Sequence, residues 1–241
     1  MDKLRADPDS QFRGDRPFAD GPPKRQRNAR GQGARLTEEI VSGALGLIER
    51  EGTDEAVTLR AVAREVGIAA PSIYAHFPDR EAIMLAVVAR VFDELTQVIS
   101  RAREAAGDDP VEGLIAGCEA YVAFGLRHPA RYGVLFSEQR GDGDGSWRQY
   151  CKPVSFGPNG APVLAFGAES FALLVDGLAA CIAAGRSASS DAMADSTAIW
   201  VALHGTVSLK TSVPGFPWPD PESFVRGFVL RLARIGPVTP V

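Results

Sequence analysis

Tyr74, His76 and Phe77 crowd into four residues of the stretch GIAAPSIYAHFPDRE (67–81), and Arg80 follows three residues later. A phenol, an imidazole and a guanidinium all carry hydrogen-bond donors that suit phosphate oxygens. An imidazole also suits acid–base catalysis, but a catalytic histidine usually stands beside a nucleophile and an orienting carboxylate. No serine or cysteine near His76 occupies an obvious elbow, and no nucleophile–base–carboxylate set is readable in the chain, so an enzyme is not expected. A core cluster of aromatic rings is the remaining reading. Spacing separates the faces: Ile73 and Phe77 lie four apart and point inward on a helix, whereas Tyr74 and His76 fall on its outer side. Ser72 comes early on that helix, where a small polar residue can meet a base edge.

Something must position these groups, and the surrounding residues predict three short helices. Thr37 is the expected cap of the first, with Glu38 and Glu39 favourable against the helix dipole. Ile40, Ala44, Leu47 and Ile48 give its apolar stripe, and Gly52 ends it. Thr58 caps the second, which buries Leu59, Val62, Ala63 and Val66 and ends at Gly67. The third begins near Ala70 with Pro71 in its first turn, where a missing N–H costs nothing. Pro78 ends it, and Asp79 caps a long fourth helix. A tight glycine turn between the last two short helices is a helix-turn-helix layout. In that layout Thr58 offers its hydroxyl and the amides behind it to one phosphate, and Arg80 is placed to hold another.

The stretch TLRAVAREVGIAAPSIYAHFPDREAIM (58–84) resembles the TetR family of bacterial transcriptional regulators. Ala63, Gly67, Ile73, Tyr74, His76, Phe77, Arg80 and Glu81 fall on the family pattern, and the match runs from about Leu36 to Met84. The resemblance implies Tyr74, His76 and Arg80 as DNA-backbone contacts, with Ala70, Ser72 and Ala75 facing the groove. One departure stands out. Ala69 occupies a position where the family often has serine or threonine, which removes a cap worth about 1 kcal/mol. The small residues at 69, 70 and 75 also leave few side chains for bidentate base readout.

The net charge of −4 hides an uneven distribution. Lys24, Arg25, Arg27, Arg30 and Arg35 cluster with no acid among them, whereas residues 36–81 hold nine acids and four arginines. Residues 1–34 are rich in proline and glycine and poor in large apolar side chains, so they are expected to be a disordered, basic-ended arm. Such a run is either a solubilising tail or a DNA-contacting arm. With the resemblance, the second reading gains, and Arg30 and Arg35 are close enough to the first helix to reach a minor groove or its phosphates. The polar start argues against a secretory signal, and the most apolar stretch, 162–185, is broken by Glu169 and Asp176, so no membrane span is expected. Three scattered cysteines, Cys118, Cys151 and Cys181, read as reduced thiols of a cytoplasmic protein, with no metal site.

After the head, the fourth helix runs to about residue 106, roughly 40 Å long. Amphipathic segments follow near 110–127, 130–136, 163–184, 190–212 and 221–235, so the expected fold is all-α: a three-helix head on a larger helical body. The domains are expected at 1–34, 35–82 and 83–241. HPARYGVLF (128–136) and IWVALHGTVSL (199–209) resemble a family subgroup with a Trp-x-x-x-His-Gly motif, here Trp200, His204 and Gly205. That resemblance implies a ligand-sensing, dimerising body. Trp200 and His204 are four apart and read either as core or as a pocket wall with one titratable tip. Tyr121, Phe124, Phe136, Phe166 and Phe171 are candidates for the same wall. Glu169 and Asp176 share a face that reads as solvated. Residues 137–162 read as a structureless loop, a candidate flap. DGDGSW (142–147) lacks the glycine and glutamate of a calcium loop. Phe224, Val225, Phe228, Val229 and Leu232 form the stripe of the last helix; the resemblance implies that the last two helices pair with a twofold mate. The expected protein is a homodimeric repressor that an apolar or aromatic small-molecule effector releases from a double-stranded DNA operator, with no other cofactor. A DNA-binding regulator without a small-molecule ligand is the alternative.

Overall fold

Side-chain oxygens decide where most of the helices begin. Thr58, Asp79, Asp109, Asp191 and Asp220 each accept a hydrogen bond from a backbone amide two or three residues on. A cap of this kind stabilises a helix by about 1 kcal/mol. The computed structural model describes residues 33–136, 153–156, 162–164 and 167–236. Its helices are α1 (Gly33–Glu51), α2 (Leu59–Val66), α3 (Ala70–Ile73), α4 (Arg80–Ala105), α5 (Pro110–Arg127), α6 (Pro129–Phe136), α7 (Ala168–Ala183), α8 (Ala192–Ser212) and α9 (Pro221–Leu232). A 3-10 turn, Asp54–Ala56, precedes α2.

The fold is all-α in class, with a helix-turn-helix head at the N-terminal end of a helical body. Ile40, Ala44, Ile48, Val57, Val62, Ile73 and Phe77 form the core of the head. Gly67 ends α2 with a φ of +71°, a left-handed turn that glycine adopts without strain. Ala69 makes no capping bond to α3. Ile83, Val87, Val91 and Leu95 carry the apolar seam along α4 into the body, where α5, α7, α8 and α9 pack round one another. Among the described residues no helix is long and apolar enough to cross a membrane.

Two expectations are corrected. Thr37 does not cap α1, which begins a turn earlier; its hydroxyl bonds back to Gly33 O at 3.1 Å. The expected structureless loop contains a short antiparallel strand pair, β1 (Pro153–Phe156) with β2 (Pro162–Leu164), and the rest of residues 137–161 lies outside the described residues. Residues 1–32, which include most of the expected arm, lie outside them too.

Candidate nucleic-acid interface and effector site

Ile73 and Phe77 are buried, so the four-residue α3 and the turn after it are held from beneath. That leaves Ser72, Tyr74 and Ala75 exposed, with Tyr74 at 61%, and Ala70 half-buried. Thr58 is exposed at the start of α2, its hydroxyl accepting from Ala61 N at 3.1 Å. His76 is half-buried, with Nδ1 3.0 Å from Thr37 Oγ1. A Cβ on Gly33 would stand 4.0 Å from the His76 ring, so α1 starts beside the recognition turn. Arg35 is exposed and pairs with Glu39 at 3.1 Å; Arg30 lies outside the described residues. Arg80 departs from expectation. Its guanidinium is turned into the head, bonded to Val57 O, Asp54 O and the Asp54 carboxylate. Carbonyls at the entry to α2 are close and fixed, and they occupy donors that the sequence had assigned to a phosphate.

The body gathers rings from five helices. Phe92 meets Phe136 edge-on at 6.3 Å, Phe136 lies 4.4 Å from His204 and 6.4 Å from Trp200, and Phe171 meets Trp200 at 6.0 Å. Within them runs a polar chain. Tyr121 OH is 2.8 Å from Tyr132 OH, Tyr132 OH is 2.7 Å from His204 Nδ1, and His204 Nε2 is 3.4 Å from Ser208 Oγ. Each phenol can donate to one neighbour and accept from the other, so the chain is continuous through to the imidazole. Burial pushes Tyr121 up to about 12 and Tyr132 further still. Phe124 does not join the group; it packs against His128 at 5.4 Å. Phe166 lies outside the described residues. Sequence reasoning missed Tyr132 and Phe92. Tyr132 carried a usable signal, one helical turn before Phe136 in HPARYGVLF.

Burial lowers the pKa of His204 from the ordinary 6.5. The folded chain therefore takes up this proton less readily than the unfolded one. The contribution to stability is full above about pH 6.5 and declines as pH falls below it. Thermal melts should show a steeper loss between neutral and mildly acidic pH in the wild type than in His204→Gln. Parallel curves for the two would refute a buried, neutral His204.

α6 also ties the body to the head. Arg131, next to Tyr132, pairs with Glu49 of α1 and Glu94 of α4, each at 2.5 Å. Arg90 of α4 joins Glu94 to Glu38 of α1, at 3.2 and 2.8 Å. On α8, Val201 is 60% and Leu209 52% exposed, and the space over Gly205 is open. On α9, Phe224, Phe228 and Leu232 are half-buried, the two rings 5.5 Å apart. Val225 was expected on a dimer face and is corrected: it is 1% exposed, inside its own chain's core.

A capped helix-turn-helix with an outward tyrosine, joined by a long helix to a mainly helical body, is the layout of a DNA-binding transcriptional regulator. Residues 40–87 match the family described as "Bacterial regulatory proteins, tetR family", and residues 114–231 match "Tetracyclin repressor-like, C-terminal domain". The chain belongs to the tetR family. It is 32% identical over 197 residues to "Uncharacterized HTH-type transcriptional regulator Rv0681" of Mycobacterium tuberculosis, covering 81% of this chain and 79% of that one. Two solved structures share its fold. One is a protein from Rhodococcus sp. RHA1 (TM-score 0.64, 22% identity, 91% of this chain and 98% of that one). The other is the regulator PfmR from Thermus thermophilus (TM-score 0.54, 17% identity, 81% and 97%).

Proposed function

We propose that the protein is a homodimeric, cytoplasmic repressor that a small molecule releases from its operator. The carrying observation is that α6 places Tyr132 in the aromatic group and Arg131 on the head at adjacent positions. A ligand that binds the DNA-incompetent state better than the competent one shifts the population and weakens operator binding. Phe136, Phe171, Trp200, Tyr121 and His204 are the proposed walls, with Trp200, His204 and Gly205 read as the motif of a Trp-x-x-x-His-Gly subgroup. Among the described residues no lysine or arginine belongs to this group of rings, which favours an uncharged, apolar or aromatic effector. Tyr74 and His76 are proposed to hold DNA phosphates with Thr58 and the arm, and Ala70, Ser72 and Ala75 to face the groove. Residues 35–82 act as the head and 83–241 as the sensing and dimerising body. The exposed face of α8, with Phe224, Phe228 and Leu232 of α9, is the proposed twofold contact.

The test is a gel shift with DNA from just upstream of the protein's own gene, against random DNA at equal salt. Specific binding with two chains per site supports the reading; binding equal to random DNA counts against autoregulation at that site. In the same assay Tyr74→Ala should weaken binding on all sequences, because phosphate contacts carry no sequence information. Ser72→Ala should instead change the preference between operators. A uniform loss for both variants refutes that division.

A further inference from the structure

The guanidinium of Arg80 spans two carbonyls of the segment that leads into α2. Its Nε donates to Val57 O at 2.8 Å and its Nη2 to Asp54 O at 2.7 Å, with Asp54 Oδ2 at 3.2 Å. These acceptors belong to a short frame. Thr53 caps the 3-10 turn by accepting from Glu55 N. Val57 N and Thr58 N close on Asp54 O and Ala56 O. Val57 has no exposed surface, so the frame is seated in the core. Thr58 is the next residue and starts α2. Arg80 thus bolts the first residue of α4 to the residues that aim the N-terminus of α2. The planar fork reaches the two carbonyls from two separate nitrogens in a fixed geometry, whereas an ammonium offers its three donors from one atom.

We propose that Arg80 is a positioning residue for DNA binding, acting through Asp54 and Val57 on Thr58 and the first amides of α2, and not a phosphate ligand. The proposal rests on the DNA-binding reading above. Its consequence is mechanical: α4 is the rod between body and head, so this joint passes a displacement of α4 to α2 as well as to the recognition turn.

The test compares the full-length wild type with Arg80→Lys, Arg80→Gln and Asp54→Asn. Affinity for a random-sequence duplex is measured over a range of salt, with circular dichroism as the check on folding. Amide exchange is followed at Ala61 and Val62. A lysine keeps a charge that can reach a phosphate but loses the fork. Expected, therefore, is that Arg80→Lys behaves like Arg80→Gln. Both should weaken binding on the order of tenfold, the scale of lost charge-assisted hydrogen bonds. Both should leave the salt slope at the wild-type value and speed exchange at the start of α2. Asp54→Asn should act in the same direction but less, and add little to Arg80→Gln. The proposal is overturned if Arg80→Lys keeps wild-type affinity while Arg80→Gln lowers the slope by about 0.9, the signature of one lost phosphate contact. It is equally overturned if the wild type binds and no variant differs from it. A wild type that binds no duplex at all removes the DNA-binding reading, and this proposal with it.

Discussion

Replacing Val201 and Leu209 together by glutamate leaves the chain monomeric and lowers its affinity for a twofold DNA site by about 100-fold or more. Both side chains are more than half exposed on α8, and the open space over Gly205 lies between them in sequence. Exposed apolar side chains spaced along one helix suit the proposed twofold contact. Two carboxylates per chain, four across a twofold axis, cannot be desolvated without a partner charge. The DNA effect follows because a dimer binds its second half-site as an intramolecular event, and a monomer does not. Sedimentation of the variant reports the first effect and a gel shift the second. A dimeric Val201→Glu/Leu209→Glu variant would move the twofold contact away from α8.

The second large effect concerns two glycines in neighbouring helices. A Cβ on Gly125 of α5 would stand 2.6 Å from Val207 Cγ1 on α8 and 3.0 Å from Tyr132 Cδ2 on α6. All three helices meet there, and nothing can retreat without parting them. Gly125→Val should therefore cost about 1–3 kcal/mol, the usual range for overpacking. At about 2–4 °C per kcal/mol for a chain of this size, the midpoint should fall by several degrees. Gly133 of α6 has nothing within 4 Å of its Cβ position. Gly133→Ala should raise stability by about 0.5–1 kcal/mol, since alanine restricts the unfolded chain and favours the helix. Melting curves of the two variants should move in opposite directions. A shared direction would mean that the packing at Gly125 is not as described.

What could be read from the sequence was mostly local. Thr58, Asp79 and Gly67 mark helix ends because a cap or a left-handed turn involves residues only a few positions apart. The apolar stripe of α4 is equally local. The misreadings share a cause, contact between distant parts of the chain. α1 begins at Gly33 where its first turn meets His76, and no spacing near Thr37 announces that. Arg80 has the same donors whether it faces a phosphate or a carbonyl; the fold of residues 53–57 decides which. Val225 shares its stripe with Phe228, but periodicity does not say whether a partner chain or the chain itself covers a given position. The polar chain from Tyr121 to His204 is assembled by packing, so only its separate members were visible.

α6 has one further consequence. Its residues 131 and 132 lie about 100° apart around the helix axis. One points to the acidic groups of α1 and α4, the other into the rings beneath α8. The helix is only eight residues long, too short to absorb much twist within itself. A roll that carries the Tyr132 phenol away from His204 also swings the Arg131 guanidinium across Glu49 and Glu94. In this arrangement α6 would act as a cam: a displacement among uncharged rings would emerge on the far side as a change in the distance between charges.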